Sequence, residues 1–223
     1  MLLKNDYNEI AKNGFTYLAP MFGVYDIKQP RIYFDVSKAV EDGIVAKDTS
    51  DDARSGGYLP TRDVILLFGL DVVKLEIAII VIGEELGHFL YEMRKQENKY
   101  AVIFREKSIG HYIERIRKER LERETMHECI GFYSGLSFAQ HSGCYDVIGI
   151  SHRMNRKMFS FSEKLKRIKQ KPNLNVSGII DILFNDPHEI GYGIAHRLFE
   201  KFSDSRFKEV IDAYTLDDVK RLL

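Results

Sequence analysis

The chain is poor in the features that mark several protein classes. It has only two cysteines in 223 residues, Cys129 and Cys144, spaced for neither a CxxC pair nor a disulfide framework. A reducing cytoplasm is therefore the expected setting. Neither thiol reads as a nucleophile, since Cys129 falls in an apolar helical segment and Cys144 in a Gly-flanked turn without an oriented base. Charge of one sign is also lacking: 33 Lys and Arg balance 33 Asp and Glu, so no net field draws in nucleic acid or an anionic surface. Proline, glycine and serine are too sparse for long disorder, and no internal repeat recurs. Long uninterrupted apolar runs are missing as well. Residues 64–82 are the most apolar, yet Asp71, Lys74 and Glu76 interrupt them; each is costly at bilayer depth, so no membrane partner is expected. Asn5, Asp6, Asn8 and Glu9 precede any apolar run, which argues against an export signal.

What remains is a chain whose length fits one main core with a modest extension. The segment RIYFD at 31–35 predicts a strand, and a short helix is expected over 36–45. The turn-forming run KDTSDDARSGG at 47–57 predicts a loop before a second strand at 64–68. Residues 70–94 predict a helix that is apolar on every side over 77–82, which places it at the centre of the fold. Residues 99–105 suit a short strand or link, and 109–137 a long helix whose charged half gives way to an apolar half near Thr125. Beyond it, Pro187 suits a first helical turn, so a helix is expected over 188–202, with one or two closing helices over 207–223.

The central helix carries Glu84-Glu85-Leu86-Gly87-His88. Residues four apart lie one above the other on a helix, so Glu84 and His88 address one point while Glu85 is turned to the side. This is the geometry of HExxH, with Glu in place of the first His. Zinc accepts carboxylate oxygen as well as imidazole nitrogen. A buried carboxylate without a partner is disfavoured, so something must satisfy Glu84 and Glu85.

Together with SGGYLPTRDVILLF before it and ETMHECIGFYSGL after it, this helix resembles the zincin metallopeptidases, specifically the gluzincin type, over roughly residues 30–140. The resemblance implies a zinc ion held by Glu84, His88 and a glutamate of the later helix. One alignment makes Glu124 the ligand with Glu128 supporting it; the other makes Glu128 itself the ligand. The first is preferred, because the second puts Phe132 where the family has a supporting aspartate. The segment PHEIGY at 187–192 resembles the place from which some zincins supply an oxyanion donor, which implies that role for His188 or Tyr192. In an active enzyme Glu85 would take a proton from the attacking water and pass it to the leaving amine, and the strand at 65–68 would bind an extended peptide by strand addition.

Three rival readings stand beside this one. A polar core cluster, or an inactive zincin-like protein that binds peptide or nucleic acid, accounts for the same residues. Glu85-x-x-His88 and Glu124-x-x-His127 are two ExxH motifs of the di-iron carboxylate kind, but that bundle needs two further glutamates. Residues 153–171, from Arg153 to Lys171, hold eight Lys or Arg against the single Glu163; they predict an amphipathic helix with a solvated basic face, and a nucleic-acid contact is the less favoured alternative. His111, His141, His152 and His196 have no ligand partner at helical spacing. The expectation is thus an α+β, zincin-like fold: a small N-terminal mixed sheet packed on a central active-site helix, and a mainly helical C-terminal half. Residues 1–145 would form the zincin-like domain and 146–223 a helical subdomain completing the cleft. A zinc-dependent peptidase acting on peptide or protein, or its inactive relative, is the expected function.

Overall fold

The computed structural model describes residues 4–46, 56–59, 61–97, 109–171, 173–213 and 215–223. Among them the chain is mainly helical with one small mixed sheet, an α+β architecture. The expected strand or link at 99–105 and most of the loop at 47–57 lie outside the described residues.

The N-terminal half runs α1 (Lys4–Met21), β1 (Arg31–Tyr33), α2 (Val36–Glu41), β2 (Gly56–Leu59), β3 (Val64–Leu67), α3 (Leu75–Glu97) and α4 (Ile109–His141). Asp35 starts α2 by accepting from the Ser37 amide at 2.8 Å, a side-chain cap on an otherwise unpaired donor. The sheet order is β1-β3-β2, with β1 parallel and β2 antiparallel to β3. Ile65 thus pairs with both Ile32 and Tyr58. This corrects the expected peptide edge at 65–68: β3 is the central strand and is paired on both sides, while among the described residues β1 and β2 are the outer strands of the sheet.

α3 occupies the centre, as its all-round apolar character requires: Ala78, Ile79, Ile80, Ile82, Leu86, Phe89 and Leu90 are all buried. It starts at Leu75 instead of 70, because residues 70–72 form a single 3-10 turn. α4 lies against it. A Cβ at Gly135 would sit 2.4 Å from the Ile80 carbonyl oxygen, so only glycine permits this backbone approach. The charged start of α4 gives way to buried residues at Thr125, as its composition indicated.

The C-terminal part comprises α5 (Val147–Met158), α6 (Phe161–Lys169), α7 (Val176–Phe184), α8 (Pro187–Phe202), α9 (Phe207–Asp212) and α10 (Leu216–Arg221). The single basic helix expected over 153–171 is two helices. Ser160 breaks it, its hydroxyl accepting from the Glu163 amide at the start of α6. α8 packs along α4, and a Cβ at Gly191 would meet the Thr125 carbonyl oxygen at 2.7 Å. One hydrophobic core runs from Tyr7 in α1 to Val219 in α10, so it crosses the expected 145/146 boundary without a break. A smaller cluster of Tyr33, Val36, Ala39, Val64 and Phe68 lies at the sheet. Among the described residues, no helix is long and apolar enough to cross a membrane.

Candidate metal centre

Three helices bring polar side chains to one cleft of about 670 Å3. α3 contributes Glu84, Glu85 and His88, α4 contributes His127 and Glu128, and α8 contributes His188 and Tyr192. Met154, Met158 and Phe159 at and beside α5 give the cleft an apolar wall, and Tyr58 of β2 also lines it.

Glu84 and His88 are one turn apart on α3 and both buried. His88 Nε2 lies 4.0 Å from Glu84 Oε1 and 3.7 Å from Glu128 Oε2. Ligand atoms sharing one tetrahedral zinc stand about 3.4 Å apart, given bonds of about 2.0–2.2 Å. Glu84, His88 and Glu128 make one candidate set, in which each carboxylate comes near that spacing from His88 Nε2 but the three ligand atoms do not all lie within 4.8 Å of one another. A second set overlaps it: ligand atoms of His88, His127 and Glu128 all lie within 4.8 Å of one another. The two imidazoles are stacked, with centroids 4.2 Å apart and planes 7° from parallel. His127 Nε2 also lies 3.5 Å from Glu92 Oε1. The His88 ring is seated on bare backbone, since a Cβ on Gly131 would fall 2.2 Å from its Cε1.

Two buried polar atoms here have no hydrogen-bond partner, Glu85 Oε2 and His88 Nδ1. Orphaned buried groups are costly and rare, and both belong to the motif that suggested a cation. Protonation follows the same logic. Burial, then the charge of Glu85, pushes the Glu84 carboxyl well above its usual range. Burial and Glu128 raise Glu85 to about 8. Burial raises Glu128, and it drives His88 well below its ordinary value and His127 to about 4. The His88 and His127 imidazoles are thus neutral, their ligand form, while Glu84 and Glu85 hold protons that a cation would displace.

Glu124 is not brought to the cleft. It pairs with Arg120 at 2.7 Å, its side chain half-exposed, and Glu128, one turn later, faces His88. The ExxH pair of the di-iron reading therefore contributes Glu85, His88 and His127 to the cleft, without Glu124. His188 stands half-exposed, with Nε2 3.4 Å from Glu128 Oε1 and Nδ1 3.4 Å from Asp186 Oδ1. Its hydrogen bond to Asp186 holds its pKa above the ordinary value. Tyr192 is buried, its ring stacked on Phe132 at 4.0 Å, and its hydroxyl donates to Glu84 Oε1. Phe132, which counted against Glu128 in the sequence alignment, is thus the aromatic floor under Tyr192.

Sequence reasoning missed Asp186, Arg167 and Tyr58. Asp186 starts α8, accepting from the His188 amide at 3.0 Å, and it also takes a hydrogen bond from Arg167 at 2.8 Å. The Asp-Pro pair at 186–187 carried that signal, an N-cap followed by proline in the first turn. Among the basic residues of 153–171, Lys164 turns inward to Glu189 and the Leu183 carbonyl, and Arg153 pairs with Asp146 at 3.0 Å. No family model, curated protein or solved structure matches the chain.

Proposed function

We propose that the chain is a zincin-like, zinc-dependent hydrolase of peptide bonds, with Glu84, His88 and Glu128 as the metal ligands. The observation that carries this reading is the buried cluster around His88, whose Nε2 lies 4.0 Å from Glu84 and 3.7 Å from Glu128 and whose ligand atoms lie within 4.8 Å of those of His127 and Glu128. Zinc held there supplies a Lewis acid that polarises a carbonyl.

The chain's own residues supply the rest. Glu85 Oε2, free of any partner, accepts the proton of the attacking water and returns it to the leaving amine. Its carboxyl, near 8 in the cation-free cluster, falls toward neutrality beside a cation, the range in which a general base works best at physiological pH. His188, whose pKa is raised by its hydrogen bond to Asp186, stands at the cleft mouth as the donor to the developing oxyanion. β2 is the peptide platform, because Gly57 and Tyr58 line the cleft and its outer flank is unpaired in the described sheet.

Metal analysis of the purified chain, followed by peptide cleavage with wild type and Glu85→Gln, tests the reading. One equivalent of zinc with cleavage lost in Glu85→Gln supports it; a chain that takes up no zinc sinks it. One observation favours a second reading, an inactive zincin-like binding protein. The Tyr192 hydroxyl already satisfies Glu84, as it would in a site that no longer holds a cation. Zinc uptake without cleavage of any peptide would select it.

A further inference from the structure

We infer that the α6–α7 hairpin is a docking surface for an anionic lipid membrane. α7, of sequence VSGIIDILF, is among the most apolar segments of the chain, yet none of its described side chains is buried. Val176, Ile180 and Phe184 follow one another at intervals of four, which lines them along one stripe. They are 73%, 45% and 73% exposed. On α6, Phe161 and Leu165 repeat the interval and are also exposed.

The two helices contact each other, and Lys164 near the start of α6 donates to the Leu183 carbonyl near the end of α7. They therefore run antiparallel, which sets Phe161 level with Phe184, Leu165 with Ile180, and Lys169 with Val176. Five large exposed apolar side chains, four of them at matched levels, are more than the scattered exposed residues of an ordinary surface.

Charge selects the partner. Lys157, Lys166, Lys169 and Lys171 are exposed around these stripes. The acids of the two helices are already engaged, Glu163 with Lys166 and Asp181 with Asn185. A second copy of the chain would bring the same lysines face to face. An anionic bilayer accepts both rows of side chains without a shaped pocket, and lysines flanking Phe, Leu and Ile are the composition of interfacial helices. Such docking needs no membrane span, so it is compatible with the absence of a spanning helix among the described residues. Lys164 with Glu189 and Arg167 with Asp186 tie the hairpin to the start of α8, the helix that carries His188.

Co-sedimentation of the full chain with vesicles of phosphatidylcholine mixed with phosphatidylserine, and with phosphatidylcholine alone, tests this. Binding to the mixed vesicles is expected, weakened by salt and weaker on the neutral ones. Ile180→Ser with Phe184→Ser should lower partitioning by about tenfold per residue. Lys166→Gln with Lys169→Gln should lower it by about fivefold per residue, and provides an independent arm if the first pair disturbs folding. All four positions are exposed, so circular dichroism and Tm should not change. No sedimentation with the mixed vesicles at low salt would overturn the proposal. So would undiminished binding by both double variants, or a dimer of the free chain that the apolar pair dissolves.

Discussion

The rings of His88 and His127 lie parallel, 4.2 Å apart, one from each of the two central helices. This relationship makes His127 a rival to Glu84 for the third place beside His88 and Glu128. Substitution separates the two. Glu84→Gln should cost at least tenfold in zinc affinity if the carboxylate is a ligand, while His127→Ala costs less than threefold; the reverse order would assign the place to His127. Competition with a chromophoric chelator reads both.

Zinc should stabilise the wild-type fold. A ligand that binds only the native state at a hundredfold above its Kd contributes about 2.7 kcal/mol, which for a chain of this size raises Tm by several degrees. His88→Ala should abolish the rise. An equal zinc-dependent rise in that variant would place the metal elsewhere.

Glu128→Gln and Glu124→Gln form a matched pair. Glu128 faces His88 at 3.7 Å, whereas Glu124 is half-exposed and bound to Arg120. The first variant should lose zinc and cleavage, and the second should keep both within about twofold, because exposed ion pairs contribute little. Loss in Glu124→Gln alone would restore the first alignment.

These pairs also mark what was legible in the sequence. The EELGH helix and its central position follow from an all-round apolar run with three polar residues set in it, so α3 and its buried carboxyls were readable. Glu124 and Glu128 share a helical face and differ by one turn; which level meets His88 depends on how far α4 slides along α3, a tertiary quantity fixed by contacts such as Gly135 on Ile80. Strand order was unreadable for the same reason, since nothing local in β3 says that it has two neighbours. α1 was missed because its apolar face is short and interrupted by Lys12, Asn13 and Gly14. The split of the basic helix was readable in principle, as Ser160 with Glu163 three residues on is a capping pattern.

The protonation of the cluster predicts a pH dependence for the zinc-free chain. The folded carboxyl of Glu85 lies near 8, above the unfolded value of about 4.3. The folded state then binds the proton more tightly, so this contribution is fully present below about pH 4 and is lost as pH rises through 8. Glu84 and Glu128 are raised in the same direction. Tm of the chelator-treated chain should fall by several degrees between pH 6 and 9, in keeping with linkage of about 1.4 kcal/mol per pKa unit. Glu85→Gln should flatten the curve and unfold at a higher temperature near pH 9. A Tm that climbs over that interval would contradict the buried, protonated cluster.

Tyr192→Phe removes one hydroxyl and keeps the stack on Phe132. In the zinc-free chain the lost partner leaves Glu84 unsatisfied in a buried place, a cost of about 1–3 kcal/mol. With zinc bound, Glu84 has the cation as its partner, and the hydroxyl matters less. The variant should therefore lower Tm by several degrees after chelation and by much less in excess zinc, while its apparent zinc affinity rises, because the free state alone is destabilised. An equal loss of Tm in both states would mean that Glu84 keeps Tyr192 and never turns to a metal.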